Sequence, residues 1–218
     1  MVRRALPCRR GTRTLAGADP TALTDAKQRL RRLLRQRRRD LSPQQVAEKS
    51  RRICARLQTF APFEDATRLV LYAADDNEVQ TEAVWAAAQS KAVYYPRISP
   101  DRSRLEFVRR YPHDRLVEGL FGIPVPLGNE RLTPGQGGHS LVLTPGLGFD
   151  AEGCRLGRGK GYYDRAFGRL LAGALRVGVA YDCQVVDRIP GGPHDERVDW
   201  IVTESRLIDC RAKRAPHG

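Results

Sequence analysis

The chain has 218 residues, 41% of them hydrophobic and 29% charged, the composition of a globular protein with an ordinary core. Its 38 Lys+Arg against 25 Asp+Glu give a formal net charge of +13, which taken whole invites a nucleic-acid partner. Divided along the chain, +10 of that falls in residues 1–40 and +3 in residues 41–218, so the excess belongs to one end and not to the body.

Residues 1–24 read as a basic leader, expected to be disordered. Their Arg-rich, acid-poor composition superficially suits a transit peptide, but a disordered or mis-started leader is the simpler reading. Scattered basic residues and the lack of an apolar h-region argue against a secretory signal. Thr24 is placed to cap a helix running to about residue 39, with Ala26, Leu30, Leu33 and Leu34 as its apolar stripe. Ser42, Pro43 and Gln45 then form a capping-box start for a second helix, with Val46, Ile53 and Leu57 on one face. A near-continuous apolar run at 68–74 suits a buried strand, and 81–91 reads as helix. Strands follow at 92–96 and 105–109. Residues 119–138, with six glycines and three prolines, read as loop. A buried strand at 139–144, a helix at 162–172 and strands at 176–181 and 199–203 complete the pattern.

Strands alternating with helices predict a single three-layer α/β domain over 25–208, with a mainly parallel sheet flanked by helices and a flexible tail at 209–218. The longest apolar runs fall far short of the ~20 residues of a transmembrane helix. The five cysteines (Cys8, Cys54, Cys154, Cys183, Cys210) are odd in number, widely spaced and free of CxxC or Cys/His metal spacing. They fit a reducing cytoplasm. Cys154 lies in the richest motif but lacks a nearby base, so it reads as structural.

That motif is residues 145–165, Pro-Gly-Leu-Gly-Phe-Asp-Ala-Glu-Gly-Cys-Arg-Leu-Gly-Arg-Gly-Lys-Gly-Tyr-Tyr-Asp-Arg, between a buried strand and a helix. Gly157, Gly159 and Gly161 let backbone approach an anion. Arg155, Arg158 and Lys160 add charge, and the helix start adds its dipole. It is no Walker A loop, because Gly161 follows Lys160 where Ser or Thr is required, and its glycine spacing is not the Rossmann fingerprint. Alone, such a loop reads equally well as a solvated surface turn. Two features favour a polyphosphate site. Asp164 stands where a hard oxygen ligand could hold Mg²⁺, and a second acidic cluster, His194, Asp195, Glu196 and Asp199, precedes the last strand. That cluster must fold back to reach the carboxyl ends of the strands, where ligands of parallel sheets collect. His194 reads as a bystander.

The stretch 143–150 followed by 155–164 closely resembles the signature of 5-formyltetrahydrofolate cyclo-ligases, also called methenyltetrahydrofolate synthetases. The resemblance extends over about residues 25–206, with satellites at 26–31, 77–81, 95–97, 122–126 and 195–199 in order. It implies a Rossmann-like sheet akin to that of sugar-phosphate isomerases and CoA-transferases. It also implies an enzyme that cyclises 5-formyltetrahydrofolate to 5,10-methenyltetrahydrofolate with Mg²⁺ and with ATP as co-substrate; a cytoplasmic monomer is expected, although the sequence does not give the oligomeric state. By the same resemblance Lys27, Arg31 and Arg155, Leu156, Gly157, Arg158, Gly159, Lys160, Gly161, Tyr162 and Tyr163 contact ATP. Ala73, Glu78 and residues 158–162 border the folate, Asp164 and Asp195 ligate Mg²⁺, and Lys160, Arg155 and Arg158 clamp the transferring phosphoryl group. The acids Asp75 and Asp76 depart from what an anionic substrate would favour. Two other classes compete. A nucleic-acid module would use residues 27–39, eight of whose thirteen residues are basic, although no aromatics are interleaved there and a solvated helix face is the plainer alternative. A sugar-phosphate isomerase or CoA-transferase-like enzyme would need a catalytic carboxylate but no ATP site.

Overall fold

Side chains that alternate between two apolar faces require cover on both sides of a sheet, and the helices provide it. A computed structural model describes residues 20–88, 90–136, 138–192 and 194–212. In chain order these form α1 (Pro20–Arg39), α2 (Pro43–Gln58), α3 (Ala61–Asp65), β1 (Arg68–Val70), α4 (Glu82–Ala87), β2 (Ala92–Ile98) and β3 (Leu105–Arg110). Then come β4 (Leu116–Glu118), β5 (Pro124–Pro126), β6 (Ser140–Pro145), β7 (Gly148–Asp150), β8 (Arg155–Leu156) and α5 (Tyr162–Phe167). The chain closes with β9 (Leu175–Val179), β10 (Val185–Val186), β11 (Trp200–Val202) and β12 (Leu207–Asp209).

The main sheet has the order β12-β11-β9-β6-β1-β2-β3. Its five central strands pair in parallel, and each edge strand pairs antiparallel. Leu69, Val93, Tyr95, Leu141 and Leu143 pack with Ile53 and Leu57 of α2 and Val84 of α4. Their neighbours Val70, Tyr94 and Val142 point the other way, to Ala166 and Phe167 of α5. This is the three-layer α/β sheet expected from the alternation. Among the described residues no helix is long and apolar enough to cross a membrane.

Local signals were accurate where the chain decides locally. Ser42 caps α2 with Pro43 in the first turn, and the reciprocal bonds to Gln45 measure 3.3 and 2.9 Å. Helix α1 begins at Pro20, inside the expected leader and before Thr24; proline is tolerated in a first turn. The rest of the expected leader lies outside the described residues. Leu33 is 48% exposed and leaves the predicted stripe, because the inward line of α1 is Lys27, Leu30, Arg31, Leu34 and Arg38, spaced by three, one, three and four. The strand expected over 68–74 keeps its ladder only to Val70. Leu71 donates to the Tyr94 carbonyl at 2.9 Å, and the chain then leaves the sheet. The helices expected at 81–91 and 162–172 stop at Ala87 and Phe167, the latter where Gly168 closes the turn. At the other end Asp209 pairs with Trp200 and Cys210 is fully buried, so the sheet reaches into the expected tail. The Thr203–Arg206 turn, closed at 2.9 Å, makes that hairpin.

Candidate active site

A cavity of about 650 Å³ lies at the carboxyl ends of β1, β2 and β6, bordered by Tyr72 and Ala73, Pro96 and Ile98, and Pro145 and Gly146. Every residue to which the family resemblance gives a site role lines it: Lys27, Arg31, Ala73, Glu78, each residue from Arg155 to Asp164, and Asp195; of the acidic cluster at 194–199, His194, Glu196 and Asp199 do not.

The wall carrying the glycines is built by a hairpin that looked like plain loop in the sequence. Strands β7 and β8 pair antiparallel, and β10 adds to them. Asp150 ties their turn together. Its Oδ1 accepts from the amides of Glu152 and Cys154, each at 3.0 Å, and its Oδ2 from that of Ile189 at 2.9 Å. Arg155 thereby starts β8 buried, its guanidinium 3.0 Å from Asp164 and 5.4 Å from the Tyr163 ring centroid. Gly159 (φ +100°) and Gly161 (φ +65°) occupy left-handed backbone that a Cβ disfavours, and Gly161 opens α5. Gly157 serves differently: its carbonyl accepts from Arg31 Nε at 3.0 Å. With only six residues, α5 supplies free N–H groups more than a long dipole.

Helix α1 forms the second wall. Lys27 Nζ lies 2.5 Å from Asp195, whose Oδ2 also accepts from the Gly192 amide at 2.7 Å. The Glu196 amide donates to Asp164 at 3.4 Å, so the 194–199 segment folds back toward the glycine loop as the site requires. Asp164 and Asp195 therefore share this wall, each holding a cation. Among the described residues no group of three or more His, Cys, Asp or Glu forms a metal cage. A pair of hard carboxylates suits Mg²⁺, which usually takes one or two carboxylates and completes its shell with water and substrate phosphates.

Glu78 faces the cavity in an ionic network. Its Oε1 accepts from Arg158 at 3.2 Å and from Arg38 at 3.4 Å, and its Oε2 from the Asp75 amide at 3.3 Å. Arg38 is fully buried and also reaches Asp76 at 2.8 Å, while Arg158 reaches Asp75 at 2.8 Å. Burial pushes the Glu78 carboxyl above its ordinary range even against these two guanidiniums. The acids at 75 and 76, out of place in the sequence, are thus neutralised by Arg158, Arg38 and Arg39.

These contacts also account for the basic helix. Of the eight cations at 27–39, Lys27, Arg31, Arg35, Arg37, Arg38 and Arg39 each contact the body, while Arg29 and Arg32, with Gln28, Gln36 and the exposed Arg37 and Arg39, make the solvated face. Of the three expected phosphoryl clamps, Arg155 and Arg158 have carboxylate partners. Lys160 is exposed with none among the described residues. Arg155 Nε and the Tyr163 hydroxyl, in residues that line the cavity, are buried without a partner among the described residues. Such atoms are what a polar ligand would satisfy. Cys154 has its thiol pushed up to about 12, chiefly by burial, consistent with a structural thiol and not a nucleophile. His194 is exposed. Cys8 lies outside the described residues.

The third wall was missed. Leu120, Phe121, Ile123 and Val125 come from the β4–β5 hairpin, within the segment read as loop from its glycines and prolines. An available signal was the apolar run Leu-Phe-Gly-Ile-Pro-Val-Pro inside that otherwise polar stretch.

A mainly parallel α/β sheet thus gathers a cationic glycine loop, two carboxylates and an apolar wall at its carboxyl edge, a site suited to an anion beside an apolar surface. Over residues 23–204 the chain matches the model of the 5-formyltetrahydrofolate cyclo-ligase family, and it belongs to that family. It is 32% identical over 181 residues to 5-formyltetrahydrofolate cyclo-ligase of Escherichia coli K12, covering 80% of this chain and 98% of that one. It is 29% identical over 195 residues to the enzyme of that name from Mus musculus, covering 84% and 95%. The solution structure of Aquifex aeolicus 5,10-methenyltetrahydrofolate synthetase superposes with a TM-score of 0.76 at 31% identity, over 88% of this chain and 96% of that one. The chain is thus an enzyme of the cyclo-ligase class.

Proposed function

We propose that the chain converts 5-formyltetrahydrofolate to 5,10-methenyltetrahydrofolate while ATP is cleaved to ADP and phosphate. The observation that carries this reading is a single cavity lined by a cationic glycine loop, an apolar wall and Glu78. A formamide oxygen is a poor leaving group. Its attack on the γ-phosphorus, with the bond to the bridging oxygen breaking and ADP leaving, makes it a good one. N10 then bonds to the formyl carbon, the C–O bond breaks, the oxygen departs with phosphate, and N10 gives up its proton. Transfers of this kind depend mainly on positioning and charge neutralisation, so no activated Ser, Cys or His is needed.

In this reading Lys27, Arg31 and residues 155–163 hold ATP. Lys160, exposed and without a carboxylate partner among the described residues, meets the transferring phosphoryl group, with Arg155 and Arg158 beside it. Ala73, Glu78 and residues 158–162 border the folate, and the Glu78 carboxylate accepts N–H bonds from the pterin. Asp164 and Asp195 would hold Mg²⁺, which when bound supplies positive charge to the phosphate oxygens. The proposal extends to a cytoplasmic monomer; the described cysteines are all free thiols. The test is the near-ultraviolet absorbance of the methenyl product, followed with and without ATP at millimolar reagents. Product only with ATP supports the reading, and no product in either case sinks it. Asp164→Asn is expected to raise the Mg²⁺ concentration needed for half-maximal rate, and an unchanged titration removes Asp164 from the metal shell.

A further inference from the structure

The apolar wall ends at a cation that the steps above leave unused. The turn joining β2 to β3 is tightly built: Ser99 N donates to the Arg104 carbonyl at 3.0 Å and Arg102 N to the Ser99 carbonyl at 2.8 Å. The Asp101 carboxylate accepts from Ser99 Oγ at 2.5 Å and from Ser103 Oγ at 2.7 Å. This closure forces Arg102 into left-handed backbone (φ +57°), a conformation few non-glycine residues adopt. Two contacts tie it to the cavity mouth. Its carbonyl accepts from the Tyr162 hydroxyl at 3.0 Å, and its guanidinium lies 5.9 Å from the Phe121 ring centroid. Tyr162 and Phe121 both line the cavity. Nearby Arg97, Arg104 and Arg131 pair with Glu106, and Arg109 pairs with Glu130. Arg102 has no carboxylate partner among the described residues.

We propose that Arg102 is the subsite for the anionic tail of the substrate, the glutamyl carboxylates at the end of folate remote from the pterin. The inference rests on the cyclo-ligase reading and deepens it. Folate is a flat, mostly apolar body that ends in carboxylates. With its pterin at Glu78 and its aromatic body along Ile123 and Phe121, the tail leaves the cavity over Phe121 and meets a guanidinium already held there. An arginine fork matches a carboxylate in two parallel N–H···O bonds, and the rigid turn lowers the cost of ordering it.

The test measures affinity by titration calorimetry without ATP, so that it reads the subsite independently of turnover. Wild type, Arg102→Asn and Arg102→Glu are each titrated with 5-formyltetrahydrofolate and with the methylamide of 5-formyltetrahydropteroate, in which an uncharged amide replaces the glutamyl group. Asparagine tolerates left-handed backbone, so the first variant keeps the turn. The expected result is a Kd for the folate about fivefold higher in Arg102→Asn, the scale of an exposed charge pair, and higher still in Arg102→Glu. The Kd for the methylamide is unchanged, and added salt narrows the folate difference. Equal weakening of both compounds, or of neither, overturns the subsite. Methenyl product formation by the wild type, measured separately, reports on the cyclo-ligase reading, so the two can fail apart. Wild-type protein that binds neither compound overturns both.

Discussion

Replacing Glu78 by Gln should separate stability from catalysis. The Glu78 side chain is only 10% exposed, with Arg158 at 3.2 Å and Arg38 at 3.4 Å. Breaking a buried pair that holds a fold together costs about 3–5 kcal/mol, because a charge is left behind. Here burial outweighs both guanidiniums and holds the carboxyl above its ordinary 4.5, so the folded state accommodates the charge reluctantly. An amide keeps the shape and an acceptor oxygen, Arg38 keeps Asp76 and Arg158 keeps Asp75. The expected cost at neutral pH is therefore no more than about 1 kcal/mol. The folded state retains the Glu78 proton to higher pH than the unfolded chain does. Its stabilising contribution is complete below 4.5 and is lost as pH rises through the folded value, a decline the variant lacks. Activity responds differently, since the amide loses the charge that pairs with pterin N–H groups: kcat/KM should fall about 100-fold, about 2.7 kcal/mol. Urea unfolding of both proteins across a pH series, with steady-state kinetics alongside, makes the comparison. A loss of about 3 kcal/mol or more, parallel pH profiles, or wild-type activity would each refute the reasoning.

Lys160→Ala should lower kcat at least about 100-fold, the scale of one lost transition-state charge partner, with little change in urea midpoint because the side chain is exposed and has no carboxylate partner among the described residues. Gly153→Ala should destabilise by at least about 2 kcal/mol in the same urea assay. Its φ is +86°, and an added Cβ would meet the Val198 carbonyl oxygen at 2.3 Å. Cys154→Ala should keep near wild-type kcat, and in the wild type the thiol should resist alkylation at pH 8, well below its value of about 12. Rapid labelling of that cysteine in the folded enzyme would contradict the burial argument.

Features decided by near neighbours were readable in the chain. The Ser42–Gln45 box and the runs that became β1, β6 and β9 follow from local capping and from burial on both faces. So does the glycine loop at 157–161, because left-handed backbone at Gly159 and Gly161 is a property of those residues alone. Element ends were less readable. Leu71 to Ala74 is as apolar as a strand, yet it becomes cavity wall where the parallel ladder stops, and apolarity does not distinguish the two destinations.

The fate of the charges required the tertiary structure. The sequence by itself places +10 in residues 1–40 and a cationic glycine loop at 155–161, and the family resemblance ties both to phosphate chemistry. It does not say that Arg38 is buried against Asp76 and Glu78, that Lys27 meets Asp195 across 168 residues, or that Arg158 and not Lys160 is the paired cation. Nor does it distinguish a Gly- and Pro-rich loop in solvent from one whose Phe121 closes an apolar wall. Periodicity records which face of an element is apolar. Whether a buried arginine is tolerated, or an exposed one is aimed at a cavity, depends on carboxylates and rings that only the fold brings within a few ångströms.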